Sequence, residues 1–162
     1  MLKLQRRRTA SLDSVFEDAD RHAAKTSDQL GANAFRNTRV LLIGFATGRL
    51  RDIRQDLRSI GVSVTVAASN VRQLHDVPNI ELGVTHVIVN FDAFDDVIDG
   101  VDTLMAFRET APDLVVVLCS EVVCGDDFGV ERARICDATL KLPIGAPRLA
   151  RGLLSAASNQ AT

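Results

Sequence analysis

The chain predicts an α/β fold, a doubly wound sandwich of helices around a five-stranded parallel sheet, and three observations carry that prediction. Five apolar runs, RVLLIGF, VSVTVAAS, THVIVNF, LVVVLCS and ATLKLPI, recur from Arg39 onward, and near-continuous apolar runs mark strands buried on both faces. Segments with helical periodicity or helix-capping residues separate them, so strand and helix alternate. The connections are short, which leaves parallel neighbours in a single sheet as the natural arrangement.

Each element has a local reason. After the first strand, GRLRDIRQDLRSIG sets Leu50, Ile53, Leu57 and Ile60 on one helical face and its charges on the other, with Gly61 placed as the C-terminal stop. After the second strand, NVRQLHDV reads as a short helix opened by Asn70 and closed by Pro78. A loop rich in aspartate leads from the third strand to VDTLMAFRET, a third helix ended by Ala111 and Pro112. The fourth strand is followed by EVVCGDD, a loop, and by a weak fourth helix in FGVERARIC. After the fifth strand, Pro147 sits where a first helical turn tolerates proline, and Leu149, Leu153 and Leu154 bring PRLARGLLSAA onto the sheet. Five strands in so small a unit favour the flavodoxin-like order 2-1-3-4-5.

Residues 1–36 differ from the rest. Leu12, Val15, Phe16 and Ala19 recur at helical spacing after Ser11, so SLDSVFEDADRHAAK can form a short amphipathic helix, and TSDQLGANAFRNT reads as linker. Arg6, Arg7 and Arg8 read as a solvated run. The expected organisation is an N-terminal segment 1–36, a domain 37–158 and a short tail 159–162.

Composition narrows the function classes. A chain of 162 residues has room for one domain with a substantial core, and 46% hydrophobic with 25% charged residues is the balance of a soluble globular protein. A net charge of −2 gives no global electrostatic case for nucleic acid or an anionic membrane as partner. No apolar run approaches the ~20 residues that span a bilayer, and MLKLQRRRTAS lacks the order of a secretory signal. A cytoplasmic location is expected. Cys119, Cys124 and Cys136 match no zinc spacing and are expected as free, buried thiols.

The functional signal sits in THVIVNFDAFDD, residues 85–96, where an uncharged β-branched run ends abruptly in Asn90, Phe91 and Asp92. In an open parallel sheet, binding and chemistry collect outside the carboxyl ends of the strands. Two further segments carry a resemblance. DGVDTLMAFRETAPDLVVVLCS, residues 99–120, is similar to the stretch of bacterial response-regulator receiver domains that runs from an Asp-Gly through the third helix to the fourth strand and its hydroxyl residue. DATLKLPI, residues 137–144, is similar to their fifth strand with its lysine and following proline. From Arg39 to about Ala157 the chain therefore resembles a receiver domain.

The resemblance implies a phosphoryl site with five parts, and several depart from the pattern. Paired acids after the first strand would hold Mg²⁺, yet Gly44 and Phe45 stand there. An aspartate ending the third strand would be the phosphoacceptor. Matching the strand places Asn90 there, whereas counting back from Asp99 and Gly100 places Asp92 there. An amide cannot serve as that nucleophile. Ser120 fits the hydroxyl position. The residue before Pro143 is Leu142, not lysine, with Lys141 one place earlier and so on the opposite face of the strand. The aromatic switch position is Thr139.

The economical expectation is a degenerate receiver, a pseudo-receiver without enzymatic activity or cofactor. It would act as a stand-alone two-component signalling adaptor, through a partner surface drawn from Val130, Arg134, Lys141, Arg148 and Arg151 on the fourth helix, fifth strand and fifth helix. The resemblance implies a histidine kinase, another regulator or a second copy as partner. The alternative is a phosphorelay response regulator that uses Mg²⁺ and phosphorylates Asp92, with Ser120 and Lys141 assisting.

Other constellations have plainer readings. GFATG could cradle a nucleotide phosphate, but reads better as a tight turn capped by Thr47. Asp92, Asp95, Asp96 and Asp99 lack calcium-loop spacing and read as a solvated loop that caps the following helix, near Val101. Asp126 and Asp127 read the same way, and His75 and His86 read as structural.

Overall fold

The computed structural model describes residues 34–79 and 83–162. The expected N-terminal helix, Arg6 to Arg8 and most of the linker lie outside the described residues. Five strands, β1 (Arg39–Ile43), β2 (Val64–Ala68), β3 (His86–Asn90), β4 (Val115–Ser120) and β5 (Ala138–Lys141), form one sheet in the order 2-1-3-4-5. Every neighbouring pair is parallel, so the expected fold class and strand order hold.

Alternation along the strands divides the core. Val40, Leu42, Ile88 and Val117 face Ile53 and Leu57 of α1 (Thr47–Ser59) and Leu149 and Leu153 of α3 (Ala146–Gln160). Leu41, Val87, Val89 and Val116 face Leu74 and the residues Leu104 and Phe107 of α2 (Val97–Thr110). Each fully buried aliphatic side chain contributes roughly 1.5–3 kcal/mol. Gly152 lets α3 approach β5 closely, since a Cβ there would meet the Leu140 methyls at 2.8 Å.

The amino end of the sheet is fastened by Arg108, near the end of α2. It donates to both oxygens of Asp137, at 2.8 and 3.1 Å, and to the Leu114 carbonyl at 2.8 Å. The Val116 amide donates to the same carboxylate at 2.7 Å. Burial pushes the Asp137 carboxyl pKa up, against the pull of the Val116 amide and Arg108. His86 opens β3 nearby in the fold's interior and lies within 2.8 Å of the Thr85 hydroxyl. Its desolvation lowers the ring pKa to about 4.

The helices depart from expectation in four places. The second is a 3₁₀ segment, Val71–Asn79, with Pro78 inside it. Proline supplies no N–H there. Helix α2 starts at Val97, ahead of Val101, because Asp96 caps it by accepting from Ile98 N and Asp99 N at 2.8 and 3.2 Å. Thr47 does not cap α1. It is the first helical residue, and Ala46 at the cap offers no side-chain bond.

The fourth helix is a single 3₁₀ turn, Val130–Arg132. The chain before it is instead drawn out beside β5, where Asp127 and Thr139 exchange amide–carbonyl bonds of 2.8 Å in both directions. The Asp126 carboxylate accepts from Lys141 N at 2.9 Å.

Candidate functional site

Because all strands are parallel, their carboxyl ends meet at one rim. There Gly44 follows β1, Asn90 ends β3, Ser120 ends β4 and Lys141 ends β5. Gly44 has φ +79°, a conformation that favours glycine, and a Cβ there would lie 2.9 Å from both the Ala93 Cβ and a Val71 methyl. Phe45 is buried in the core on the α1 and α3 side. The Asn90 amide nitrogen donates to the Gly44 carbonyl at 3.0 Å, and its oxygen accepts from Asp92 N at 3.3 Å. Asn90 thus ties the β1 turn to the short 3₁₀ turn Phe91–Ala93.

That turn carries Asp92 to the end of β4. The Ser120 hydroxyl donates to Asp92 Oδ1 at 2.5 Å, and the Glu121 amide donates to Asp92 Oδ2 at 2.6 Å. The Val122 amide donates in turn to Ser120 Oγ at 3.1 Å, which orients the hydroxyl hydrogen toward the carboxylate. The Glu121 side chain pairs with Arg49 of α1 at 2.6 Å. Asp92 itself is exposed, whereas Ser120 is buried. An open cleft of about 440 Å³, flanked by Phe94 and Val122, leads to the pair from solvent.

Similarity to solved structures is consistent across three examples. The receiver domain of the histidine kinase CKI1 from Arabidopsis thaliana, complexed with Mg2+ and BeF3−, matches with a TM-score of 0.58 at 16% identity, over 79% of this chain and 95% of that chain. A CheY-like response regulator receiver domain protein from Methanospirillum hungatei matches with a TM-score of 0.57 at 17% identity, over 76% and 96%. A signal receiver domain of a two-component histidine kinase from Clostridium thermocellum matches with 0.57 at 17%, over 74% and 97%. The fold is the receiver fold. No protein-family model and no curated protein matches the chain.

On this receiver fold the residues singled out from the sequence separate into three groups. Asn90, Asp92 and Ser120 come together with Gly44 at the rim. Lys141 does not join them, for its ammonium donates to the Val123 carbonyl at 2.5 Å and approaches that of Glu121 at 3.5 Å. Leu142 is buried in the core. Thr139 is buried below, with its hydroxyl 3.4 Å from an Arg132 nitrogen and 3.6 Å from Cys136 Sγ. Val130 and Arg134 are exposed.

Arg148 and Arg151, assigned to a partner surface, are engaged within the molecule. Arg148 donates to both Asp126 oxygens and to the Pro143 and Lys141 carbonyls. Arg151 lies 3.7 Å from Asp126 and stacks over Phe128, 5.1 Å from the ring centroid. Asp126 is therefore not a solvated loop residue: its side chain is 10% exposed, and bonding to Arg148 lowers its pKa. Asp127 pairs with Arg132 at 3.2 Å. Sequence reasoning missed the Asp126 hub, although the spacing of Arg148 and Arg151 on one helical face was a signal for an internal acid. It also missed the Glu121 amide, which side-chain identity cannot reveal.

The cysteines are free, but Cys124 is exposed, contrary to expectation, because its loop lies on the surface. Burial pushes the Cys119 thiol up to about 12, with the Asp126 and Asp92 carboxylates adding to the effect. A thiol so protonated is a poor nucleophile. Among the described residues no three His, Cys, Asp or Glu side chains converge as a metal site. The Mg²⁺ that a receiver site implies does not fit these residues: position 44 has no space for a carboxylate, and position 45 is an apolar core residue.

Proposed function

We propose that the chain is a non-enzymatic signalling adaptor on the receiver fold, acting through protein contacts and independently of its own phosphorylation. The observation that supports this most directly is Gly44. Its left-handed backbone, with Ala93 and Val71 against it, leaves no room for the acid that would bring Mg²⁺ to the rim. Without a cation, a carboxylate and an incoming phosphoryl group repel one another, and attack on phosphorus loses its main electrostatic support. Asn90 at the end of β3 is held as a cross-tie between turns and is not a nucleophile.

An adaptor of this kind presents one constant surface to a histidine kinase, another regulator or a second copy. Val130 and Arg134 belong to that surface. Arg148 and Arg151 do not, since reversing their charge would break the Asp126 hub and confound any binding result. Among the described residues no helix is long and apolar enough to cross a membrane, and we place the adaptor in the cytoplasm.

The test is an amide NMR titration of the full chain with Mg²⁺ and then beryllofluoride. The expected result is a folded spectrum without saturable shifts. Saturable shifts centred on Asp92, Ser120 and β5 would replace this reading with a phosphorelay regulator using Asp92, which the closeness of Asp92 to Ser120 favours.

A further inference from the structure

The donors that hold Asp92 form a site in their own right. Ser120 Oγ and Glu121 N converge on its two oxygens at 2.5 and 2.6 Å, and the Val122 amide fixes the hydroxyl that does half of the holding. Two donors converging on one anionic group is how proteins seat an oxyanion, because each hydrogen bond to a charged acceptor is stronger than its neutral counterpart. The seat opens to solvent through the cleft beside Phe94 and Val122. Its occupant reaches it on a two-residue extension beyond β3, with Asn90 Oδ1 holding the Asp92 amide in the required turn.

We propose that Ser120 Oγ–H and Glu121 N–H constitute an oxyanion-binding seat whose resident ligand is the chain's own Asp92 carboxylate, so that an external oxyanion enters only when Asp92 leaves. Both donors are uncharged. Nothing in the seat is therefore specific to a carboxylate of this chain, and a free carboxylate or phosphate group presents the same acceptors. The seat rests on the reading of the rim as a site without phosphoryl chemistry, and explains what keeps it in one state. With Asp92 in place, Ser120, Glu121 and the Val122 amide are fixed in the anion-bound arrangement permanently, and Arg49 reads that arrangement through Glu121.

The experiment uses the full-length chain and follows the Glu121 and Val122 amides by NMR, with acetate and inorganic phosphate as separate probes at matched ionic strength in chloride. In the native chain neither probe moves these amides. In Asp92→Ala the Glu121 amide exchanges with solvent about tenfold faster, the scale of one hydrogen bond to a charged acceptor, and added acetate or phosphate returns both amides saturably toward their native positions. Recovery with acetate alone identifies a carboxylate seat, and recovery with phosphate alone a phosphate seat; either supports the assignment. The double variant Asp92→Ala, Ser120→Ala loses the recovery.

A folded Asp92→Ala chain whose Glu121 amide is unchanged, or which responds to neither probe, overturns the seat. So does recovery that survives loss of the Ser120 hydroxyl. That failure is distinct from failure of the adaptor reading, which shows instead as a Mg²⁺ and beryllofluoride response in the native chain.

Discussion

Asp137 and Asp92 are each held at both carboxylate oxygens, at opposite ends of the sheet, by different kinds of donor. Asp137 is buried and faces the Arg108 guanidinium in a bidentate pair, with the Val116 amide as a third donor. Asp92 is exposed and is held by a hydroxyl and an amide, both neutral. A buried pair is costly to split, because the remaining partner is left charged in a poor solvent. A carboxylate on neutral donors at a wet rim can leave, because water solvates both sides of the broken contact. The same functional group serves as a permanent fastener at one end and as a replaceable occupant at the other.

The largest effect expected is at the fastener. Arg108→Ala should lower unfolding stability by about 3–5 kcal/mol in urea denaturation, and a loss below about 1 kcal/mol would remove the distinction between the two ends. Next is Gly44→Asp, which restores an acid to the rim by sequence alone. It should cost about 2–4 kcal/mol through left-handed strain and overpacking and yield no Mg²⁺-dependent NMR shift. A folded variant that binds Mg²⁺ would show that the missing acid, not the packing around Gly44, is what disarms the rim.

The third prediction concerns pH. The folded His86 pKa, about 4, is below its unfolded value near 6.5, so between these pH values the unfolded chain binds the extra proton. Stability should therefore fall as pH drops from about 6.5 to about 4, by at most about 3 kcal/mol, and His86→Gln should flatten the profile. Asp137, with its carboxyl pKa raised, contributes with the opposite sign, since the folded chain then holds its proton more tightly as the pH falls toward the carboxylate range. A flat native profile through that window would mean that His86 is hydrated in the folded chain. The smallest effect is at the replaceable occupant: Asp92→Ala should cost no more than about 1 kcal/mol in the same denaturation assay.

The sheet was legible because burial on both faces writes itself directly into sequence. Val87, Ile88 and Val89 can only be a buried strand, and strand order followed from the alternation. The pairing of Asn90 with the end of β3 was legible as one of two alternatives, because strand matching and loop counting differ by the two residues of the Phe91–Ala93 turn. What escaped was set by partners distant in sequence. FGVERARIC has the composition of a weak helix, yet Asp127 pairs with Thr139 and draws the chain out. Asp126 looks like a solvated acid until Arg148 and Arg151 arrive from the last helix. The steric exclusion at Gly44 depends on Val71 and Ala93, which no local pattern announces.

The exchange between Asp127 and Thr139 has a consequence for how copies of this chain can meet. A parallel sheet ends in a strand whose outward amides and carbonyls invite another strand to add on, the route to runaway aggregation. Here the outward N–H and C=O of Thr139 are taken by Asp127, and the Lys141 amide is taken by the Asp126 carboxylate. Sheet extension is closed on the β5 side, so a second copy meeting this molecule there has to bind it by side-chain complementarity and not by sharing its backbone.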